Sequence, residues 1–102
     1  MPRKRNTDAQ GRNFDSKTIQ DVWNKSSIVP EYSGETHRYD ACGMIIFRTS
    51  YGKETDMGWE IDHKNPVANG GTDNPSNLQA LQSSLNAQKG DSLNWECPKK
   101  KI

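Results

Sequence analysis

Four residues in the second half of the chain have types and intervals that suit hydrolysis of a phosphodiester. Asp62 and His63 are adjacent, Asn77 follows His63 by fourteen positions, and Asn86 follows Asn77 by nine. Asp62 offers a hard anionic oxygen to a divalent cation, and His63 offers an imidazole that is largely neutral near pH 7 and free to accept a proton. Asn77 and Asn86 are polar without charge, able to orient the histidine or to complete a metal shell. An attacking water needs a base, and the charge that develops on the leaving oxygen needs a cation.

The elements around these residues must bring them to one place. Residues 59–63 read as a short strand, ended where Pro66 forbids further ladder donation. In regular pleating Asp62 and His63 point to opposite faces, so one site uses both only where the strand finishes and the backbone turns. Asn69-Gly70-Gly71 and Asp73-Asn74-Pro75 make a turn-rich loop, and residues 78–81 read as a second strand. Ser83 or Ser84 caps a last helix that runs to Lys89 and stops at Gly90, placing Asn86 and Lys89 on one face. Upstream, Asp15 caps a helix over 17–25 in which Ile19, Val22 and Trp23 fall at i, i+3 and i+4. Residues 44–48 read as a strand, and His37 as a solvated loop histidine.

At 102 residues and 30% hydrophobic content the chain has room for one small domain with a modest core. Trp59 and Leu78 are core candidates. The longest apolar run, Met44-Ile45-Ile46-Phe47, is far too short to span a bilayer, and the first residues lack the apolar stretch of a signal peptide, so the expected location is cytoplasmic with no membrane partner. Cys42 and Cys97 then read as reduced thiols, with Cys42 a small buried hydrophobe. Neither has a second ligand at zinc-site spacing, and no structural zinc is expected.

A net charge of +1 conceals a separation along the chain. Residues 1–12 carry four basic and one acidic residue (+3), residues 99–102 carry three lysines (+3), and residues 13–98 carry seven basic against twelve acidic (−5). Arg3-Lys4-Arg5 and Lys99-Lys100-Lys101 suit phosphate contact or simple solvation, and residues 1–13 read as a disordered basic arm. The acidic body does not attract nucleic acid by itself, although a bound divalent cation reverses the field at the site.

In the block from Trp59 to Asp91 the chain resembles the HNH endonucleases. Asp-His, a proline three residues after the histidine, Gly-Gly, Asn-Leu-Gln and Asn-x-x-Lys-Gly-Asp occur there in family order. Arg38-Tyr39-Asp40-Ala41-Cys42-Gly43 and the Trp23-Asn24-Lys25 helix also look like the small bacterial proteins that consist of little beyond the nuclease. The resemblance implies an α+β fold, a small ββα-metal core over 59–91 with an extra N-terminal helix and strand. It makes residues 14–97 the nuclease domain, between the arm at 1–13 and a basic tail at 98–102.

The same resemblance makes His63 the general base, Asp62 the metal-binding carboxylate, Asn77 the central asparagine and Asn86 the final position. Many members carry histidine at that last position; asparagine occurs there in the HNH domains of CRISPR effector nucleases and some phage homing endonucleases. The implied activity is metal-dependent endonucleolytic cleavage of DNA, nicking or double-stranded, with low intrinsic sequence specificity. Oxygen ligands at Asp62 and Asn86 suit Mg²⁺ or Mn²⁺. Lys89, Lys64 and Arg38 are the candidate nucleic-acid contacts, and the chain is expected to act as a monomer or weak homodimer. Two other readings compete: a catalytically silent nucleic-acid-binding module and a small interaction scaffold on the same fold.

Overall fold

A computed structural model describes residues 3–99; Met1 and Pro2 of the arm and Lys100, Lys101 and Ile102 of the tail lie outside the described residues. The first helix, α1 (Ser16–Lys25), forms where the periodicity places it, with the Asp15 carboxylate accepting from the Thr18 N–H at 2.7 Å. Its apolar stripe buries Val22 and Trp23. Trp23 packs on Trp59 with ring centroids 5.4 Å apart and donates its indole N–H to the Gly34 carbonyl.

The fold is α+β, as expected, but the upstream part holds more sheet than the single strand read from the sequence. β1 (Ser27–Ile28), β2 (His37–Tyr39) and β3 (Ile45–Phe47) form a small antiparallel sheet in that order. The first two strands have two and three residues, too short for alternation to register. His37 is therefore a strand residue rather than a solvated loop one. Its ring stacks on Tyr32 at 4.1 Å and meets Phe47 at 5.1 Å.

β4 (Trp59–His63) and β5 (Leu78–Gln82) form the second antiparallel pair, with Ile61 opposite Ala80 and His63 opposite Leu78. The pleat sends Trp59, Ile61, Leu78 and Ala80 into the main core with Phe14, Val22, Trp23 and Ile46. Glu60, Asp62 and Leu81 share the other face, over which α2 (Ser83–Lys89) packs. α2 starts where the Gln82 side chain accepts from the Leu85 N–H and stops at Gly90, whose φ of +52° suits glycine. β4 is thus buried at all five positions.

Two expectations are overturned. Residues 3–13 do not form a disordered arm: Thr7 bridges Asn13, Asp8 accepts from the Gln10 and Arg12 N–H groups, and the segment docks along β4. A polar segment gives no periodic signal, yet its side chains satisfy the edge of a strand distant in sequence. Cys42 and Cys97 are not reduced thiols but a disulfide, with Cα atoms 5.4 Å apart, and Cys42 is only half-buried. The pairing joins the β2–β3 loop to the segment after α2, a proximity that only the fold creates.

The disulfide closes a loop across a separation of 55 residues. On loop-closure grounds its reduction should remove roughly 2–4 kcal/mol of stability. Urea unfolding with and without dithiothreitol measures this, and coincident midpoints would show that the bridge does not constrain the fold.

Candidate active site

A cleft runs beside the edge of β4 that does not pair with β5. Its walls come from β4 (Ile61, Asp62, His63), the loop after it (Pro66, Val67), α2 and its end (Asn86, Ala87, Gly90, Asp91) and the arm (Arg3, Arg5, Asn6), around a volume of about 260 Å³. Asp62 and His63 leave opposite faces of the strand and still reach this one cleft because it lies at the strand edge. Three of the four residues singled out by spacing are therefore brought together.

His63 is only 4% exposed, packed near the Phe14 ring. Its Nε2 lies 2.7 Å from Asp73 Oδ1. A carboxylate only accepts, so this contact puts the ring proton on Nε2 and leaves the Nδ1 lone pair for a proton acceptor's role. Asp73 is itself held by the Ala9 N–H, at 3.0 and 3.1 Å from its two oxygens. Asn77, the fourth residue, does not line the cleft. Its Nδ2 donates to the Asn65 and Thr72 carbonyls and its Oδ1 accepts from the Asn65 N–H at 2.8 Å, which staples the loop that carries Asp73. Gly71 sits within that loop where a Cβ would lie 1.7 Å from the Asn65 carbonyl oxygen, so only glycine lets the two strands of the loop approach.

Asp62 and Lys89 form a buried pair, Oδ1 to Nζ 3.2 Å, with side chains 6% and 5% exposed. Asp62 Oδ2 accepts from Gln79 Nε2 at 2.9 Å. Burial pushes the Asp62 carboxyl upward, opposed by the Gln79 hydrogen bond and then by the Lys89 charge. Asn86 is buried and donates its Nδ2 to Glu60 Oε1 at 2.7 Å. Glu60 in turn accepts from Arg5 Nε at 3.0 Å.

The three basic residues read as nucleic-acid contacts lie elsewhere than the mouth of the cleft. Lys89 is buried, and besides pairing with Asp62 it donates to the His63 carbonyl at 3.1 Å. Arg38 lies over Trp23 and donates to the carbonyls of Gly34, Asn24 and Ser26, pinning the end of α1. Lys64 is exposed beside Lys25, whose ammonium is pushed down by burial and further by the Lys64 charge. The cations that line the cleft are Arg3 and Arg5. Sequence reasoning noticed their charge but not their place, and it missed Asp73, Glu60 and Asn6. Glu60 left a usable signal, two residues before Asp62 and hence on its face; Asn6 left none.

Residues 48–92, the segment that contains β4, β5 and α2, match the family model described as HNH endonuclease. No curated protein and no solved structure matched the chain. HNH proteins are nucleases acting on DNA, typically with a divalent metal. Among the described residues no group of three or more His, Cys, Asp or Glu is arranged to hold a metal ion. The donor set that fits is smaller: the Asp62 carboxylate and the Asn86 amide oxygen, both hard and both lining one cleft. A hard cation that keeps several waters and takes one or two protein oxygens, with phosphate oxygens completing its shell, is compatible with that pair.

The Asp62–Lys89 pair sets a stability prediction. Removing one partner of a buried ion pair leaves an uncompensated charge, so Lys89→Met should destabilise the fold by about 3–5 kcal/mol. Thermal or urea unfolding reads this directly, and a variant as stable as wild type would show that Lys89 is not Asp62's structural counterion.

Proposed function

We propose that this chain is a metal-dependent endonuclease that hydrolyses phosphodiester bonds of DNA, with His63 as general base and Asp62 and Asn86 as ligands for Mg²⁺ or Mn²⁺. The observation that carries the reading is the convergence of Asp62, His63 and Asn86 on one cleft from the two faces of β4 and from α2. Asp62 and Asn86 would hold a cation there, which when bound would supply positive charge to stabilise the phosphate as negative charge develops on it.

The chain's own residues have separable tasks. Asp73, accepting from the Nε2 N–H, orients the His63 ring and leaves Nδ1 to accept the proton of the attacking water. Asn77 holds the loop so that Asp73 stays within reach. Arg3 and Arg5, cationic at the cleft wall, suit the backbone of the nucleic acid. Contacts of this kind position a strand without reading bases, in keeping with low sequence specificity. Action as a monomer or weak homodimer and a cytoplasmic location belong to the same proposal.

One observation favours the second reading, a nucleic-acid-binding module without turnover. The Lys89 ammonium already faces Asp62, which neutralises the carboxylate with no cation needed. Supercoiled plasmid with purified protein separates the two: the nuclease reading expects nicked or linear DNA with Mg²⁺ or Mn²⁺ and none with EDTA. DNA binding without cleavage in every metal would establish the silent module.

His63→Ala should lower the cleavage rate by roughly 10² to 10⁴ while leaving DNA binding intact, because the base acts in the transition state. Near-wild-type turnover by the folded variant would remove His63 from the mechanism. Asn86→His should move the preferred metal toward Ni²⁺ or Zn²⁺, since an imidazole nitrogen replaces a hard oxygen. Identical metal profiles for wild type and variant would place position 86 outside the metal shell.

A further inference from the structure

Glu60 is a buried carboxylate, its side chain 7% exposed, that the proposed chemistry does not use. It stands two residues before Asp62 on the same face of β4, under α2, yet it does not line the cleft. Two of its hydrogen bonds converge on one atom: Oε1 accepts from Asn86 Nδ2 at 2.7 Å and from Arg5 Nε at 3.0 Å. Oε2 meets Arg5 Nη2 at 3.3 Å.

We propose that Glu60 is a positioning residue for the metal site, fixing which end of the Asn86 amide faces the cleft, with Arg5 of the N-terminal arm holding Glu60 in place. The inference rests on the reading of Asn86 as a metal ligand. An amide has a donor end and an acceptor end of nearly equal size, and only the acceptor end binds a cation. A carboxylate has no proton to give, so it takes the donor end, and Oδ1 is left facing the other way. Among the described residues no protein donor engages Asn86 Oδ1. Without Glu60 the amide is free to turn its NH₂ group toward the cleft, where it repels a cation.

The arm thereby becomes part of the site. Arg5 reaches Glu60 across a separation of 55 residues and is also paired with Glu54 at 3.0 Å. Glu60 itself is no substitute ligand, because, unlike Asp62, it does not line the cleft.

Because both critical bonds go to Oε1, the effects of charge and of geometry come apart in two conservative variants. Glu60→Gln keeps an acceptor oxygen at the position of Oε1 and loses the charge. Glu60→Asp keeps the charge and its attraction for Arg5 but withdraws the oxygen from Asn86 by a methylene. Full-length wild type, E60Q, E60D and N86A are titrated with Mn²⁺ alone, reading free Mn²⁺ by its paramagnetic resonance signal, with circular dichroism melts confirming folded protein. Positioning predicts that E60D loses Mn²⁺ affinity by about 10- to 100-fold, the range for partners that orient ligands, and that E60Q loses less than E60D. It also predicts that E60D/N86A binds no more weakly than N86A, since Glu60 acts through Asn86. The proposal is overturned if N86A weakens binding but E60D does not, or if E60Q is the more damaged of the two. Wild-type affinity in N86A overturns it together with the ligand reading beneath it.

Discussion

A strand buried on both faces still has an edge, and the outward edge of β4 is the constraint on which the site depends. β5 satisfies one side of the strand. On the other, unpaired N–H and C=O groups must find partners among side chains or loops. Gly52 donates to the Trp59 carbonyl, Asn6 Oδ1 accepts from the Ile61 N–H, and Lys89 Nζ donates to the His63 carbonyl. A third strand on this edge would fill the cleft. Capping it with isolated groups leaves it open to a ligand while satisfying the backbone, and it lets residues from both faces serve one place. Asn6 also accepts from Tyr51, whose phenol burial pushes up to about 12, so the same amide anchors the arm to the core.

Burial on the α2 face imposes the second condition. Asp62 and Glu60 are both carboxylates placed under a helix, where an ionised group without a partner is costly. Lys89 answers the first and Arg5 the second, one from within the family-matched segment and one from outside it. The arrangement leaves the Asp62 carboxylate met by the Lys89 ammonium on one oxygen and by the Gln79 amide on the other. On the opposite face, His63 is held by Asp73, and Asp73 by Ala9. The arm thus supports the proposed base on one side and the proposed ligand on the other.

Much of this was written locally in the sequence. The Asp15 cap, the Ile19, Val22, Trp23 stripe, the Trp59–His63 strand and the stop at Gly90 are near-neighbour signals, and each element lies where they place it. The features that were not readable depend on long separations or on very short elements. Arg5 with Glu60 and Cys42 with Cys97 each span 55 residues, and β1 and β2, with two and three residues, are too short for alternation to register. Lys89 was placed on the correct helix face, next to Asn86, but the fold turned that face inward, so its charge meets Asp62 instead of solvent.

The central claim is that a cation binds where Asp62 and Asn86 meet beside His63, at the β4 edge. Substoichiometric Mn²⁺ added to ¹⁵N-labelled protein tests it, because paramagnetic broadening falls steeply with distance from the ion. The account predicts that the backbone amides of Asp62 and His63 and the side-chain amide of Asn86 vanish first. Broadening centred on Glu54 and Asp56, with the Asn86 side-chain signal intact, would contradict it.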